Sequence, residues 1–166
     1  MIQTQNEKFR ERLNDFDTAV LITRGAQNSF CARPMAIAGI EDNCDLWFIT
    51  NKESAKVHQI EKDTLVNIVC QHGWSSCVCA TGRASLEHDA SKLEQLWSAA
   101  YQVWFPLGMR DPDIVLIHVV LERGEYWDNT GINRFNYAFQ AIKAIVTHKV
   151  PQVEEGKQHG IVHLSR

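Results

Sequence analysis

The run Thr18-Ala19-Val20-Leu21-Ile22-Thr23, closed by Gly25, gives the first indication of the fold class of this chain. Its residues favour extended structure, and apolar side chains occur at both alternating sets of positions. A strand with one solvated face instead alternates between apolar and polar residues. The run therefore predicts a strand inside a closed barrel rather than one on an open sheet.

Further strand patterns follow at short intervals and are separated by polar or glycine-containing turns. They span residues 31–40, 46–50, 65–70, 77–86 and 114–121, with a turn at Gly73, and Gly124 is predicted to end the last strand. Helical patterns cover residues 6–14, the segment around Val57 and Ile60, a stripe from Asp89 to Trp104, and residues 133–148. Strands that pair mostly by hairpins, with helices inserted between them, predict an antiparallel α+β barrel.

Composition excludes several classes of protein. The chain has 166 residues, 45% hydrophobic and 22% charged, with a formal net charge of −3. No apolar run reaches the length of a membrane helix, and the polar segment Met1–Asp15 lacks the apolar core of a signal peptide. The mild negative charge gives no sign of the basic surface that binds nucleic acid. We therefore expect one domain in the cytoplasm that acts on neither membranes nor nucleic acid.

Five cysteines, in a chain without a secretory signal, are expected to be reduced thiols. Cys77 and Cys79 share one face of a predicted strand, and Cys70 and His72 lie nearby, so a zinc site can be considered. The C-x-C spacing differs from the C-x-x-C pairs of zinc ribbons, and cysteine is often buried. Core thiols are the favoured interpretation, and no metal site is predicted.

Three segments carry candidate binding chemistry. In Cys31-Ala32-Arg33-Pro34-Met35, a proline marks a strand edge or bulge, and Arg33 and Met35 share a face. In the segment 49–56 a strand passes into a helix at Ser54, flanked by Lys52 and Lys56; free amides and lysines at such a junction bind phosphate. The aromatic segment 103–108, together with Trp127, could line a flat ligand or cap the barrel.

Each segment also has an ordinary structural explanation: an edge strand with a solvated arginine, a capped helix with exposed lysines, and a hydrophobic cap. No H-E-x-x-H, G-x-S-x-G, P-loop or G-x-G-x-x-G motif occurs, and no nucleophile–base pair can be nominated. The residues alone leave the function open.

The order of these segments resembles a known family. Arg33-Pro34-Met35, residues 46–56 (LWFITNKESAK), Gly82-Arg83-Ala84, residues 104–112 (WFPLGMRDP) and Glu125-Tyr126-Trp127-Asp128 are similar to the general stress protein 26 branch of the pyridoxamine 5′-phosphate oxidase-like flavoproteins. The resemblance covers roughly Phe9 to Asp128. It divides the chain into an FMN-binding domain, residues 1–128, and a C-terminal helical extension, residues 129–166, packed on the same domain.

The resemblance implies a mainly antiparallel split β-barrel of Greek-key type with flanking helices, forming a homodimer that shares its FMN sites. FAD is the alternative flavin, and a nicotinamide nucleotide or another small molecule is the expected electron donor. The residues implied in cofactor binding are Arg33, Pro34, Met35, Ile49, Thr50, Lys52, Ser54, Lys56, Trp104, Phe105 and Trp127. Ser54 and Lys56 would hold the phosphate, whereas Trp104 and Phe105 would approach from the partner subunit.

Departures from the family pattern narrow the expected activity. Related oxidases often carry an arginine before the phosphate-binding lysine, where this chain has Ala55, which predicts weaker phosphate binding or compensation by Lys52. A substrate lysine of authentic pyridoxine phosphate oxidases is replaced by Ala38, and their C-terminal Arg-x-His motif is absent. We therefore expect a flavin-dependent oxidoreductase of another substrate. The alternatives are a non-catalytic flavin-binding or redox-sensing stress protein and, less favoured, a heme- or deazaflavin-binding barrel.

Overall fold

The computed structural model describes residues 4–128 and 159–164. The described helices are α1 (Gln5–Leu13), α2 (Ala55–Lys62) and α3 (Ala90–Leu96). The described strands are β1 (Thr18–Arg24), β2 (Phe30–Ala36), β3 (Gly39–Ile40), β4 (Leu46–Asn51), β5 (Leu65–His72), β6 (Ser76–Glu87), β7 (Ile114–Asp128) and β8 (His159–His163). Three short 3-10 helices lie at Ala26–Asn28, Ala99–Val103 and Gly108–Arg110.

The eight strands form one antiparallel sheet in the order β2-β1-β5-β6-β7-β4-β3, and β8 adds to β7. The sheet curls, because the Ala38 amide donates a 2.8 Å hydrogen bond to the Trp47 carbonyl and so joins the segment after β2 to β4. The result is an α+β half-barrel. This confirms the predicted fold class.

Alternation along the strands gives the sheet an inner and an outer face. The inner face carries the main core, to which α1 contributes Phe9 and Leu13, and α2 contributes Ile60. Of the β1 side chains, Leu21 is fully buried, whereas Val20 on the outer face is 36% exposed. The prediction that both faces of this run are enclosed is therefore wrong, because the described chain covers only the inner face.

Strand β7 runs unbroken through Gly124, so the prediction that this glycine ends the strand is wrong. Gly124 instead makes room for α1, because a Cβ at this position would lie 2.3 Å from ring atoms of Phe9. The irregularity in β7 comes earlier, where the register against β6 shifts between Thr81 and Gly82. A Cβ on Gly82 would meet the Val120 carbonyl oxygen at 2.2 Å, so the glycine allows this close approach.

The helix predicted to continue from Asp89 to Trp104 is shorter in the structure. The Asp89 carboxylate caps α3 by accepting from the amides of Ser91 and Lys92, as its position predicts, but the backbone is extended at Trp97. The chain turns there, so the rings of Trp97 and Phe105 approach to 6.4 Å over a second, smaller core cluster. Packing of these aromatic rings outweighs the local helical period.

Strand β8 pairs with β7 and buries Val162, which places part of the C-terminal segment in the sheet. The helix predicted at residues 133–148 lies outside the described residues, and the division of the chain at residue 128 stays a prediction. Within the described ranges, no helix has the length and apolar character needed to cross a membrane.

Candidate functional site

The junction between β4 and α2 holds a buried polar group without a partner. Ser54 is the N-cap residue of α2, but its hydroxyl makes no capping hydrogen bond, and its Oγ atom is buried without a partner. Two residues into the helix, the Lys56 ammonium donates a 2.8 Å hydrogen bond to Thr50 Oγ1 at the end of β4. The strand-to-helix turn thus brings a hydroxyl and an ammonium to one place.

Arg33 reaches the same region from β2. Because Arg33 pairs with Leu21 in the β1–β2 register, its side chain lies on the inner face. Its guanidinium donates to Thr23 Oγ1 at 2.6 Å and to Gln59 Oε1 at 2.8 Å. Thr23 also donates to Gln59 Oε1 at 2.5 Å, so β1, β2 and α2 jointly fix the arginine.

In the part of the chain that the structure describes, no acidic group offsets the charge of these two cations. In residues 4–128 and 159–164, neither Arg33 nor Lys56 forms an ion pair, and their partners named above are neutral. Burial lowers the pKa of the Lys56 ammonium, and the nearby charge of Arg33 lowers it further. Burial also lowers the pKa of Arg33. A site that combines two partly desolvated cations with a buried unpartnered hydroxyl is suited to a multiply charged oxyanion.

Other predicted residues lie on the strands around this site. Ile49 and Thr50 are buried on β4, and Met35 packs against the main core from the same face of β2 as Arg33, as predicted. Pro34 lies on the exposed outer face, opposite Val20. The ammonium of Lys52 is occupied elsewhere, because it contacts Asp113 Oδ1 and the Pro112 carbonyl, each at 3.1 Å.

The predicted aromatic residues occupy different environments. Trp104 is 78% exposed beside Val103, whereas Phe105 is 4% exposed in the second core cluster. Trp127 lies on the outer face of β7, where its ring is 5.3 Å from that of His159. In the described residues, no hydrogen bond or ring contact joins any of these three aromatic residues to Arg33 or Lys56.

Sequence reasoning missed Thr23 and Gln59. Gln59 follows Lys56 by three residues, so the two share a face of α2, and this spacing could have indicated a polar face toward the sheet. Thr23 follows Leu21 by two residues, which places it on the inner face, where it is buried. The signal in the sequence was a threonine at an inward-facing position near the end of an apolar strand.

A second polar cluster joins α3 to the sheet. Glu41 Oε1 accepts from Lys92 Nζ at 2.6 Å and from Trp47 Nε1 at 2.8 Å. His118 stacks on the Trp47 ring at 4.1 Å, and its Nε2 lies 3.0 Å from Asp45 Oδ2. Glu41, Asp45 and His118 could in principle ligate a metal ion, but Lys92 already supplies the positive charge. The arrangement fastens α3, from which the aromatic segment continues.

Comparisons with known proteins agree on the family that this chain matches. A family model described as "Pyridoxamine 5′-phosphate oxidase like" matches residues 4–152. Among curated proteins, general stress protein 26 of Bacillus subtilis (strain 168) is 27% identical over 82 residues, which are 47% of this chain and 58% of that protein. The chain thus matches less than two thirds of the length of this relative.

Solved structures share the fold over most of the chain. A candidate general stress protein 26 from Jannaschia sp. CCS1 has a TM-score of 0.73 at 23% identity, covering 94% of this chain and 96% of that one. A general stress FMN/FAD binding protein from Xanthomonas citri has a TM-score of 0.65 at 24% identity, covering 76% of this chain and 90% of that one. At this identity the likeness shows the fold, and it confirms the split-barrel architecture predicted from the sequence.

Proposed function

Because the chain belongs to the pyridoxamine 5′-phosphate oxidase-like family, we propose that it binds FMN and acts as a flavin-dependent oxidoreductase. FAD is the alternative flavin, since a structural neighbour is described as FMN/FAD binding. The proposed reaction is electron transfer from a small donor, with a nicotinamide nucleotide as the first candidate. Ala38 and the absent Arg-x-His motif argue against pyridoxamine phosphate itself as the substrate.

One observation carries this proposal: the cations Arg33 and Lys56 have no acidic partner in the described residues and lie near the unpartnered hydroxyl of Ser54. The flavin phosphate is an oxyanion of up to two charges, and it would accept hydrogen bonds from the guanidinium, the ammonium and the unpartnered hydroxyl. It would also lie at the N-terminus of α2, where free amides favour anions. The residues present therefore fit a flavin phosphate. The fit does not require Lys52, whose ammonium contacts Asp113.

The ring would lie along β2. This strand ends the sheet order, so one of its edges is unpaired within the described residues, and its backbone groups can reach a planar ligand. The bound flavin would supply hydride exchange at its N5 atom. This chain's part would be to fix the phosphate through Lys56 and Arg33 and to orient the ring along the β2 backbone at Pro34 and Met35.

The site would be completed by a second copy of the chain. The side chains of Val103, Trp104, Leu107 and Met109 are exposed on one short segment, which is more apolar surface than a loop of a monomer usually presents. On a homodimer with two-fold symmetry, this segment of each copy would cover the flavin of the other, and Trp104 would contact the ring. Phe105, which is buried, would support the segment, and Trp127 would lie nearby.

The cofactor proposal is tested by absorbance and by one substitution. We expect the purified protein, or the protein after addition of FMN, to show a flavin spectrum. Lys56→Met should weaken FMN binding by about 1.5–3 kcal/mol, or roughly 10- to 100-fold, because a charged hydrogen bond is lost. Lys62→Met, at the exposed far end of the same helix, is the matched control and should bind as the wild type does.

An unchanged affinity of Lys56→Met would place the phosphate elsewhere, and a protein that takes up no flavin would overturn the cofactor. A spectrum typical of heme would instead favour a heme-binding barrel.

A non-catalytic flavin-binding protein is the second candidate function. It is favoured by the chemistry of the site: in the described residues, the side chains that hydrogen-bond to Arg33 and Lys56 are hydroxyl, amide and thiol groups, with no carboxylate or imidazole to exchange protons. Steady-state oxidation of NADH or NADPH by the flavin-loaded protein separates the two candidates. Turnover with a panel of acceptors supports the oxidoreductase, and its absence supports the binding protein.

A further inference from the structure

Gln59 on α2 joins the groups that hold Arg33 into one neutral network. Its Oε1 atom accepts from the Arg33 guanidinium at 2.8 Å and from the Thr23 hydroxyl at 2.5 Å. Thr23 Oγ1 in turn accepts from Arg33 at 2.6 Å. At the other end of the amide, Nε2 donates to Cys31 Sγ at 3.4 Å. Gln59 thus connects α2 to both β1 and β2 without carrying a charge.

The two ends of this side chain meet different requirements. A guanidinium only donates hydrogen bonds, so the group that faces Arg33 must be an acceptor, whereas the group that faces Cys31 is a donor. An amide supplies both, but a carboxylate of the same size supplies acceptors alone. A carboxylate would also form an ion pair with Arg33 and offset one of the two positive charges of the site. The amide of Gln59 fixes the guanidinium and leaves its charge available.

A carboxylate at the end of the same helix has a different cation as its partner. Asp63, the C-cap residue of α2, lies 3.3 Å from Arg24 Nε on β1. The two arginines of the β1–β2 pair therefore differ, because Arg24 has an acidic partner and Arg33 has neutral ones. Within residues 4–128 and 159–164, Arg33 and Lys56 thus keep two positive charges without an ion pair.

We propose that Gln59 is a positioning residue of the phosphate site. It immobilises Arg33 while leaving the described part of the site with two uncompensated cations, the charge that matches a phosphate monoester dianion. This role rests on the proposed function, since the anion is taken to be the phosphate of the flavin. Gln59 acts through Arg33 and does not need to touch the ligand.

The charge at residue 59 is expected to affect both cations of the site. Burial lowers the pKa of the Lys56 ammonium, and the charge of Arg33 lowers it further, so the two cations are electrostatically coupled. A carboxylate paired with Arg33 would offset the field that Arg33 exerts on Lys56. A substitution of Gln59 by glutamate is therefore visible at Lys56 even when no ligand is bound.

The first test compares Gln59→Glu with Gln95→Glu, which is the same substitution at an exposed position of α3. Affinities for FMN and for riboflavin, which lacks the phosphate, are measured by quenching of flavin fluorescence. Gln59→Glu should bind FMN about tenfold more weakly, because its carboxylate pairs with Arg33, and should bind riboflavin as the wild type does. Gln95→Glu should leave both affinities unchanged.

A neutral variant separates positioning from added charge. Gln59→Met removes the acceptor without adding a charge, and it should weaken FMN binding about threefold without affecting riboflavin. In an Arg33→Met background the same substitution should have no further effect, since it acts through the guanidinium. Additive effects of the two substitutions would overturn the role of Gln59 as a positioning residue.

A measurement without flavin distinguishes this role from the proposed function. NMR titration of lysine side chains in the flavin-free protein gives the pKa of Lys56, which should be higher in Gln59→Glu than in the wild type. An unchanged pKa, or an equal loss of affinity for FMN and riboflavin, would overturn the role of Gln59 and leave the proposed function standing. A wild type that takes up no flavin would overturn the flavin as the ligand, whereas a raised Lys56 pKa would still support control of the site's charge by Gln59.

Discussion

At the scale of single residues, the partner of a charged side chain indicates whether that side chain has a structural or a functional role. Arg12 pairs with the buried Asp128, and Lys92 pairs with Glu41, so these charges fasten helices to the sheet. Arg33 is held as firmly, but by a hydroxyl and an amide that leave its charge uncompensated. An immobilised cation without an anionic partner indicates a ligand more strongly than an exposed cation does, because its desolvation has not been offset.

The Glu41–Lys92 pair predicts a defined dependence of stability on pH. The hydrogen bond from Lys92 lowers the pKa of Glu41 below its ordinary value of 4.5. A carboxyl group with a lowered pKa in the folded state stabilises the fold above that ordinary value, and the stabilisation is lost as pH falls through the lowered pKa. Lys92→Met should therefore be less stable than the wild type near neutral pH, and the two should converge in acid.

Urea unfolding at a series of pH values measures this difference. In a Glu41→Gln background, which has no titrating carboxyl at this position, the pH-dependent part should vanish. A difference between Lys92→Met and the wild type that stays constant at every pH would mean that Lys92 acts through packing on the Trp47 ring, 4.7 Å from its Nζ, rather than through charge.

At the scale of elements, alternation of side chains determines what each strand contributes. On β6, Val78 and Ala80 enter the core while Cys77 and Cys79 face outward. On β8, Val162 is 2% exposed and Ile161 is 39% exposed. Strand β8 thus completes the inner face with Val162 and leaves Ile161 on the surface.

This alternation predicts unequal effects of two similar substitutions in β8. Val162→Ala should lower the free energy of unfolding by about 2 kcal/mol, because it removes buried methyl groups and leaves a cavity. Ile161→Ala, on the outer face, should cost less than about 0.5 kcal/mol. Chemical denaturation of both variants tests the pairing of β8 with β7. Equal costs, or a larger cost for Ile161→Ala, would show that β8 docks through the opposite face.

At the scale of the whole molecule, the described chain leaves apolar surface that its own elements do not cover. The exposed side chains include Val20 and Phe30 on the outer face, and Trp104 and Leu107 on the aromatic segment. In the described residues the proposed phosphate site holds two cations, Arg33 and Lys56, whereas the aromatic residues expected at the ring contact neither of them. The proposed homodimer accounts for both facts, because the second copy would supply the aromatic cover.

The dimer is tested by light scattering on a matched set of variants. The wild type should have twice the mass of one chain, and Trp104→Ser/Leu107→Ser should shift toward the monomer and bind flavin more weakly. Trp74→Ser is the control, because Trp74 is 95% exposed at the tip of the β5–β6 hairpin and outside the aromatic segment. A monomeric wild type, or a double variant that stays fully dimeric, would contradict the proposed interface.

Periodicity and turn residues were sufficient to predict most of the strands, the helices α1 and α2 and the α+β barrel class, because these signals act locally in the chain. They did not predict β8 or the continuation of β7 through Gly124. The sequence also nominated Arg33, Ser54 and Lys56, since a proline-marked strand and a strand-to-helix junction are visible in the order of residues. Only the tertiary structure brought Gln59 and Thr23 to Arg33, showed that Gly124 admits Phe9, and placed Cys79 beside Glu125. These contacts depend on sheet register and helix docking, which arise from packing between segments distant in the chain.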